Sequence, residues 1–270
     1  EICSFQGSYH GSTQGALSAM GDETFKRAYR PLLPDHRILP WAEASALERI
    51  TPRTAAVVVE IIQAESGYKP VPPAYLSALQ DRCRAMGALL IVDEIQTGFG
   101  RSGHLFAHHG VGITPDILCL GKALGGGMPL GAFIASREKM QSLAHNPMLG
   151  HLTTFGGHPV SCAAGWAAFR VLQREGWIDH VASKEALLRR ELSHLSVTGS
   201  LSGQGLLLAL PLGDFDRVLT VQQDLIKQGL LTDWFLFENQ ALRLAPPLSI
   251  SEDELHQACR AIRQAIPSHL

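Results

Sequence analysis

Paired cysteines are missing from this sequence. Cys3, Cys83, Cys119, Cys162 and Cys259 are scattered through 270 residues with no CxxC pair. That argues against a zinc site and against a disulfide scaffold, and it suits a reducing compartment, so a cytoplasmic location and no bound metal are expected. Charge is also sparse. Charged residues make up 18% of the chain and the formal net charge is −2, so there is no global basic field to hold nucleic acid. No apolar run approaches the roughly 18–20 residues that a membrane span takes. Repeats and low-complexity stretches are absent, as is any visible signal or transit segment. The chain opens on Glu1, and EICSFQGSYHG reads as a strand and loop entered midway.

What is present is a globular composition, 46% hydrophobic, long enough for one large domain and a smaller one. Four unalternated apolar runs, Ala56–Glu60, Ala88–Asp93, Ile117–Leu120 and Gly131–Ala135, read as buried strands of a parallel sheet covered on both faces. Helices are predicted over Pro73–Met86, where Pro73 suits a first turn, and over Val160–Leu172, whose apolar residues on several sides predict a mostly buried helix. The fold class is therefore α/β, a mostly parallel sheet with helices on both faces, with ligands at the carboxyl ends of the strands. The texture changes near Asp179. A charged helix over Asp179–Leu195 is followed by strands near Gly205–Leu210, Leu230–Phe237 and Ala241–Leu244. Further helices are expected at Arg217–Gln228 and, after a Ser251 cap, at Glu252–Ile266. Residues 1–178 are expected to form the larger domain and 179–270 a smaller C-terminal α/β domain.

The chain's twenty-six glycines are unevenly placed and cluster between Gly98 and Gly165, often beside polar residues, which suggests backbone packed close to a ligand. Gly98-Phe99-Gly100-Arg101-Ser102-Gly103 matches GxGxxG, but it lacks the tight strand–turn–helix of a dinucleotide site and reads better as a glycine-rich loop. Leu89–Glu94 resembles a Walker B strand without a Walker A partner, a weak pointer to nucleotide hydrolysis. Lys122 follows a buried strand and precedes Ala-Leu-Gly-Gly-Gly. Desolvation there favours a neutral, nucleophilic amine, although a lysine in a surface turn is the commoner case. Asp93 ends another buried strand, and its carboxylate needs a cation or donors; alone it reads equally as a cap or a loop ion pair. Together the two residue types match what pyridoxal 5'-phosphate requires, a lysine for its aldehyde and an acid for its pyridine nitrogen.

Five motifs in order carry a family resemblance. They are Ser8–Thr13 (SYHGST), Asp93–Gly103 (DEIQTGFGRSG), Pro115–Gly131 (PDILCLGKALGGGMPLG), Thr153–Pro159 (TTFGGHP) and Leu242–Leu248 (LRLAPPL). Across nearly the whole chain they resemble the class III pyridoxal-phosphate aminotransferases. The Ser8–Gly21 and Asn146–Pro159 stretches look most like the putrescine, ornithine and acetylornithine branch. The resemblance implies an aspartate-aminotransferase-like fold in which Lys122 carries the cofactor and shuttles a proton. Asp93 would hold the pyridine nitrogen protonated, and Gln96 would bond the ring's 3′ oxygen. Tyr9 and Ile95 would cover the two ring faces, with His10 beside them as a cofactor contact. Thr154 would bind the phosphate of the neighbouring subunit, which makes the protein a homodimer with shared sites. Tyr9 and Ile95 also read as ordinary core residues, and Thr154 as a helix cap.

Arg243 is a fork-shaped guanidinium suited to a carboxylate, and otherwise a surface ion-pair residue. By resemblance it grips 2-oxoglutarate, and Glu65 pairs with it when an amine donor lacking that carboxylate enters. The implied reaction moves the terminal amine of a diamine or ω-amino acid to a 2-oxo acid acceptor. An aminomutase of the same family, and a non-catalytic homologue serving as a binding partner, are the alternatives. The sequence departs from the family at Ile61, where Pro is usual, and at Ala64, where Gly is usual; Glu60 and Glu65 are both retained. His158 stands where Asn is common. Family members carry well over a hundred more residues ahead of this point, including a phosphate-cradling loop, so the chain is expected to be part of a longer protein.

Overall fold

The computed structural model describes residues 1–266. Its first half is built around strands β1 (Ile2–Phe5), β2 (His36–Leu39) and β3 (Ala56–Glu60), a short antiparallel pair β4 (Ile62–Gln63) and β5 (Lys69–Pro70), and β6 (Leu89–Asp93), β7 (Ile117–Leu120) and β8 (Ala132–Ala135). Six of them form one sheet in the order β2-β1-β3-β6-β7-β8. All its neighbours are parallel except β7 and β8. The three runs Ala56–Glu60, Ala88–Asp93 and Ile117–Leu120 thus lie side by side as expected. Gly131–Ala135 also forms a strand, but Ala132, Phe133 and Ile134 are exposed, which corrects the expectation that this run is buried. It also runs antiparallel in a sheet that is otherwise parallel. The physical reason is the connection. Between β7 and β8 the chain makes only a 3₁₀ turn and a glycine-rich loop, too short for the crossover that a parallel neighbour needs.

Between β3 and β6 that crossover exists. Helix Pro73–Met86 has Pro at its first turn and buries Leu76, Leu79 and Cys83. It ends at Gly87, whose φ of 72° supplies the left-handed residue that closes a helix. The register then decides what meets at the sheet's carboxyl edge: Glu60 is paired with Asp93, and Asp93 with Cys119. Two carboxylates therefore stand next to each other at strand ends, and Cys119 beside Asp93 lies three residues before Lys122.

Helix Pro159–Glu175 corrects the expectation of burial. Only Ser161, Gly165 and Leu172 are buried, while Trp166 is 60% exposed. Its small-residue face lies against the Lys122 turn. A Cβ on Gly165 would stand 2.3 Å from the Leu124 carbonyl, and one on Gly126 would stand 2.5 Å from the Ala164 carbonyl. Phe169 packs against the core beside Phe99, whereas Val160 and Trp166 have no cover among the described residues.

The second half carries β9 (Ser202–Gln204), β10 (Leu207–Pro211) and β11 (Ala241–Leu244) as an antiparallel sheet in the order β11-β10-β9. Helices Val181–Leu192, Phe215–Lys227 and Glu252–Ala265 accompany it. The last opens on a full capping box between Ser251 and Glu254, as its sequence predicts. The strand expected over Leu230–Phe237 reduces to a single bridge between Asp233 and Arg243. Among the described residues no helix is long and apolar enough to cross a membrane.

Candidate active site

Four segments leave the carboxyl ends of β1, β3, β6 and β7 and converge on one cleft of about 150 Å³. Its lining includes Tyr9, His10, Glu60, Asp93, Ile95, Gln96 and Lys122. Six of the nine residues singled out from the sequence are thereby brought together. Glu60 was recognised only as a surviving motif residue. Its position opposite Asp93 follows from the strand register, which one sequence does not specify.

Asp93 is buried, and both its oxygens are engaged. One accepts the Ile95 N–H at 3.0 Å and the other takes a hydrogen bond from His10 Nδ1 at 2.8 Å. A carboxylate can only accept, so the ring proton sits on Nδ1. Burial alone would push His10's pKa down. The bond to Asp93 and the charges of Glu60 and Asp93 outweigh it, and the net direction is up. Glu60 accepts the backbone N–H groups of Tyr9 at 3.0 Å and Ala64 at 2.9 Å. Burial drives its pKa up to about 7, against the pull of His10 and those two donors. The loop holding Tyr9 and His10 is fastened further by Gln63 Nε2 to the Gln6 carbonyl and Ser66 Oγ to the Gly7 carbonyl, both 2.8 Å.

Lys122 opens the 3₁₀ turn Lys122–Gly125 with φ of 47°, in the left-handed region that a lysine avoids. Desolvation lowers its pKa; the charges of Asp93, Glu65 and Glu60 act in the opposite sense. The amine is thus moved toward the neutral form that attacks a carbonyl carbon.

The next residue along from Asp93 braces the site from behind. Glu94 is completely buried and accepts from Thr97 Oγ1, from the backbone N–H groups of Ala107 and His108, and from His108 Nδ1 at 2.7 Å. The Walker-like reading of this strand end is replaced by that role, a carboxylate spent on locking a loop.

Glu65 and Arg243 meet outside the cleft's lining. Arg243 Nη2 donates to Glu65 Oε2 at 2.5 Å, and the Leu236 N–H donates to the same oxygen at 3.1 Å. The departures at Ile61 and Ala64 therefore leave the pair intact. Arg243 also lies 4.5 Å from the ring centroid of Phe235 and 5.6 Å from that of Tyr68. Neither aromatic stands out in the sequence, because a lone Tyr or Phe outside any motif reads as an ordinary packing residue. Thr154 lies apart from the cleft, exposed in the loop before helix Pro159–Glu175. At that helix's start His158 acts as cap, its Nδ1 accepting the Ser161 N–H at 3.4 Å.

A pyridoxal group suits these residues. The cleft has a buried carboxylate for a ring nitrogen, a depressed lysine for an aldehyde, and an aromatic and a branched aliphatic side chain for ring faces. Two buried polar atoms of the cleft's own lining, Gln96 Oε1 and His10 Nε2, have no partner among the described residues. Buried polar atoms left unpaired are costly, and a polar ligand in the cleft would meet that need.

Comparison with known proteins agrees. The family model described as aminotransferase class-III matches residues 1–266. An acetylornithine aminotransferase of Rhodobacter capsulatus is 37% identical, over 99% of this chain and 68% of its own length. Ornithine aminotransferase of Toxoplasma gondii, solved with partial occupancy of PLP, superposes with a TM-score of 0.89 at 33% identity. That match covers 98% of this chain and 63% of the Toxoplasma chain. An amine transaminase from an uncultivated Pseudomonas species in its PLP-bound form gives 0.88 at 26% identity, over 98% of this chain and 69% of the other. The chain thus spans somewhat under two thirds of the Toxoplasma enzyme's length. With its whole described length matched by one family model and a relative 37% identical over 99% of it, the chain belongs to the class-III aminotransferases.

Proposed function

We propose that the protein of which this chain forms part is a transaminase that moves the terminal amine of a diamine or ω-amino acid to 2-oxoglutarate. The observation that carries this reading is the Arg243–Glu65 pair. An arginine that must hold a carboxylate in one half-reaction and be masked in the other needs a movable acidic neighbour, and a mutase has no use for that alternation. The names of two relatives, acetylornithine and ornithine aminotransferase, point to the same branch.

Class-III aminotransferases use pyridoxal 5'-phosphate, which would supply an electron sink for the negative charge left at the substrate carbon that bears the transferred amine. The residues that would hold it are those of the cleft. Asp93 offers a carboxylate to the pyridine nitrogen, and its bond from His10 keeps it aimed. Gln96 offers its carboxamide to the ring hydroxyl. Tyr9 and Ile95 exclude water from the two faces. Lys122 would hold the cofactor between turnovers, and its Nζ would then carry the proton away from the substrate carbon that bears the amine, a role for which an amine shifted toward neutrality is suited. Arg243 binds the acceptor's carboxylate through two parallel donors, and Glu65 covers it when the donor amine arrives. Thr154 contributes to the phosphate site of a second copy, so the working unit is a homodimer. The division at 178/179 and a cytoplasmic location, in keeping with five unpaired cysteines, belong to the same reading.

The test is a donor panel with 2-oxoglutarate as acceptor, run on the full-length holoenzyme. Turnover is expected with ornithine, acetylornithine or putrescine. Turnover confined to α-amino acids without a terminal amine, or to glutamate-1-semialdehyde, overturns the assignment.

A further inference from the structure

The environment of Arg243 contains more than its acidic partner. Tyr68 and Phe235 are both completely buried, with rings edge to face at 4.9 Å and 88°. The guanidinium of Arg243 lies over both. Tyr68 reaches this place through an unfavourable backbone, φ 48°, directly after Gly67 at φ 85°. Its carbonyl is fixed by Ser202 Oγ at 2.9 Å, and its hydroxyl meets Gln96 Nε2 at 3.3 Å. A tyrosine rarely adopts that conformation unless its surroundings hold it there. Phe235 belongs to a segment fastened at both ends. The Arg243 N–H bonds the Asp233 carbonyl at 2.7 Å, and the Phe237 N–H bonds the Glu65 carbonyl at 3.0 Å.

Each member of the ion pair therefore has a second partner that stays when the first departs. Glu65 Oε2 keeps the Leu236 N–H, and Arg243 keeps two aromatic faces. A buried pair without such fallbacks is expensive to open, because each charge is left uncompensated. A cation over an aromatic face is stabilised without consuming any N–H, so the donors remain free for a ligand. Arg243 Nε already has no partner among the described residues.

We propose that Tyr68 and Phe235 are positioning residues, a π-walled holder that keeps the Arg243 guanidinium aimed at the substrate carboxylate once Glu65 has let go. The inference rests on the reading of Arg243 as the carboxylate-binding residue. It predicts that weakening the aromatic walls damages recognition of the carboxylate-bearing acceptor and spares the amine donor.

The experiment uses the full-length holoenzyme and measures the two half-reactions separately. Phe235 is replaced by phenylalanines of increasing fluorination, which keep the ring's size and weaken its negative face. Tyr68→Leu, Tyr68→Phe and Arg243→Met are made alongside. The KM for 2-oxoglutarate is expected to climb with each fluorine, and to rise roughly 2- to 30-fold in Tyr68→Leu, the range of a cation–π contact. In the fluorinated Phe235 series, which touches no hydrogen bond of the cleft, kcat and the KM of a donor without an α-carboxylate hold, and the acceptor KM of Tyr68→Phe, which keeps the ring, stays below that of Tyr68→Leu. If Arg243→Met raises the acceptor KM but fluorination leaves it flat, the holder is wrong and the carboxylate reading stands. If Arg243→Met itself leaves that KM unchanged, the carboxylate reading falls and the holder with it. Should Tyr68→Leu lose all activity through misfolding, the isosteric fluorinated series still decides.

Discussion

Lys122 pays a conformational cost for its position, since a non-glycine residue in the left-handed region is strained by about 1–3 kcal/mol. Strain of that kind persists only where the surroundings impose it, and here it turns the side chain into the cleft beside Asp93. Borohydride reduction of the holoenzyme followed by peptide mass spectrometry should therefore leave a pyridoxyl adduct on the peptide containing Lys122. Lys122→Ala should show none and lose on the order of 10²–10⁴-fold in rate through the missing proton carrier alone. Glu60 makes a second prediction. Its pKa is raised from 4.5 to about 7 by burial, so the folded chain holds a proton there that the unfolded chain releases. Its contribution to stability is full below pH 4.5 and is lost as pH rises through about 7. Glu60→Gln, neutral throughout, should flatten the fall in melting temperature across that window. A slope unchanged in the variant would assign the dependence elsewhere. Both positions were visible in the sequence as residue types at strand ends. Their pairing was not, because it depends on a register that aligns Glu60 with Asp93 across residues far apart in the chain.

Among the elements, helix Pro159–Glu175 and the Lys122 turn depend on each other. With Gly165 lying under the Leu124 carbonyl, Gly165→Ala must push the turn away by more than side-chain adjustment allows. Overpacking of this kind costs about 1–3 kcal/mol, and the displacement falls on the residues next to Lys122. Reduced kcat with a lowered melting temperature is expected; an unperturbed kcat would show that the turn relaxes independently of the helix. The strands β3, β6 and β7 were legible because unbroken Val, Ile and Leu runs fit only a sheet covered on both faces. The direction of β8 was not, since Ala132–Ala135 has the same composition whichever way it runs. The burial of helix Pro159–Glu175 was misjudged for a related reason. An apolar side chain records that it needs cover and not which molecule provides it.

For the molecule as a whole, that missing cover is conspicuous. Met148, Leu149, Leu152, Phe155, Val160 and Trp166 are all exposed, Phe155 by 79%, in and beside the loop that holds Thr154. Six large apolar side chains exposed within nineteen residues of sequence are unusual for a monomer in water. The homodimer proposed above accounts for it. Sedimentation of the full-length holoenzyme should give a dimer, and Trp166→Glu should shift it toward monomer while lowering cofactor occupancy. A monomer that retains full activity would contradict the shared site. One guanidinium has a further kinetic consequence for the assembled enzyme. On the proposed reading, donor and acceptor enter one cavity in turn and the acceptor's hook is always present, masked only by Glu65. An excess of acceptor can pull Arg243 from that mask before the donor has reacted, and occupy the site in the wrong half of the cycle. Throughput should then pass through a maximum and decline as acceptor accumulates, so that the strength of a single ion pair sets the metabolite level at which the enzyme throttles itself.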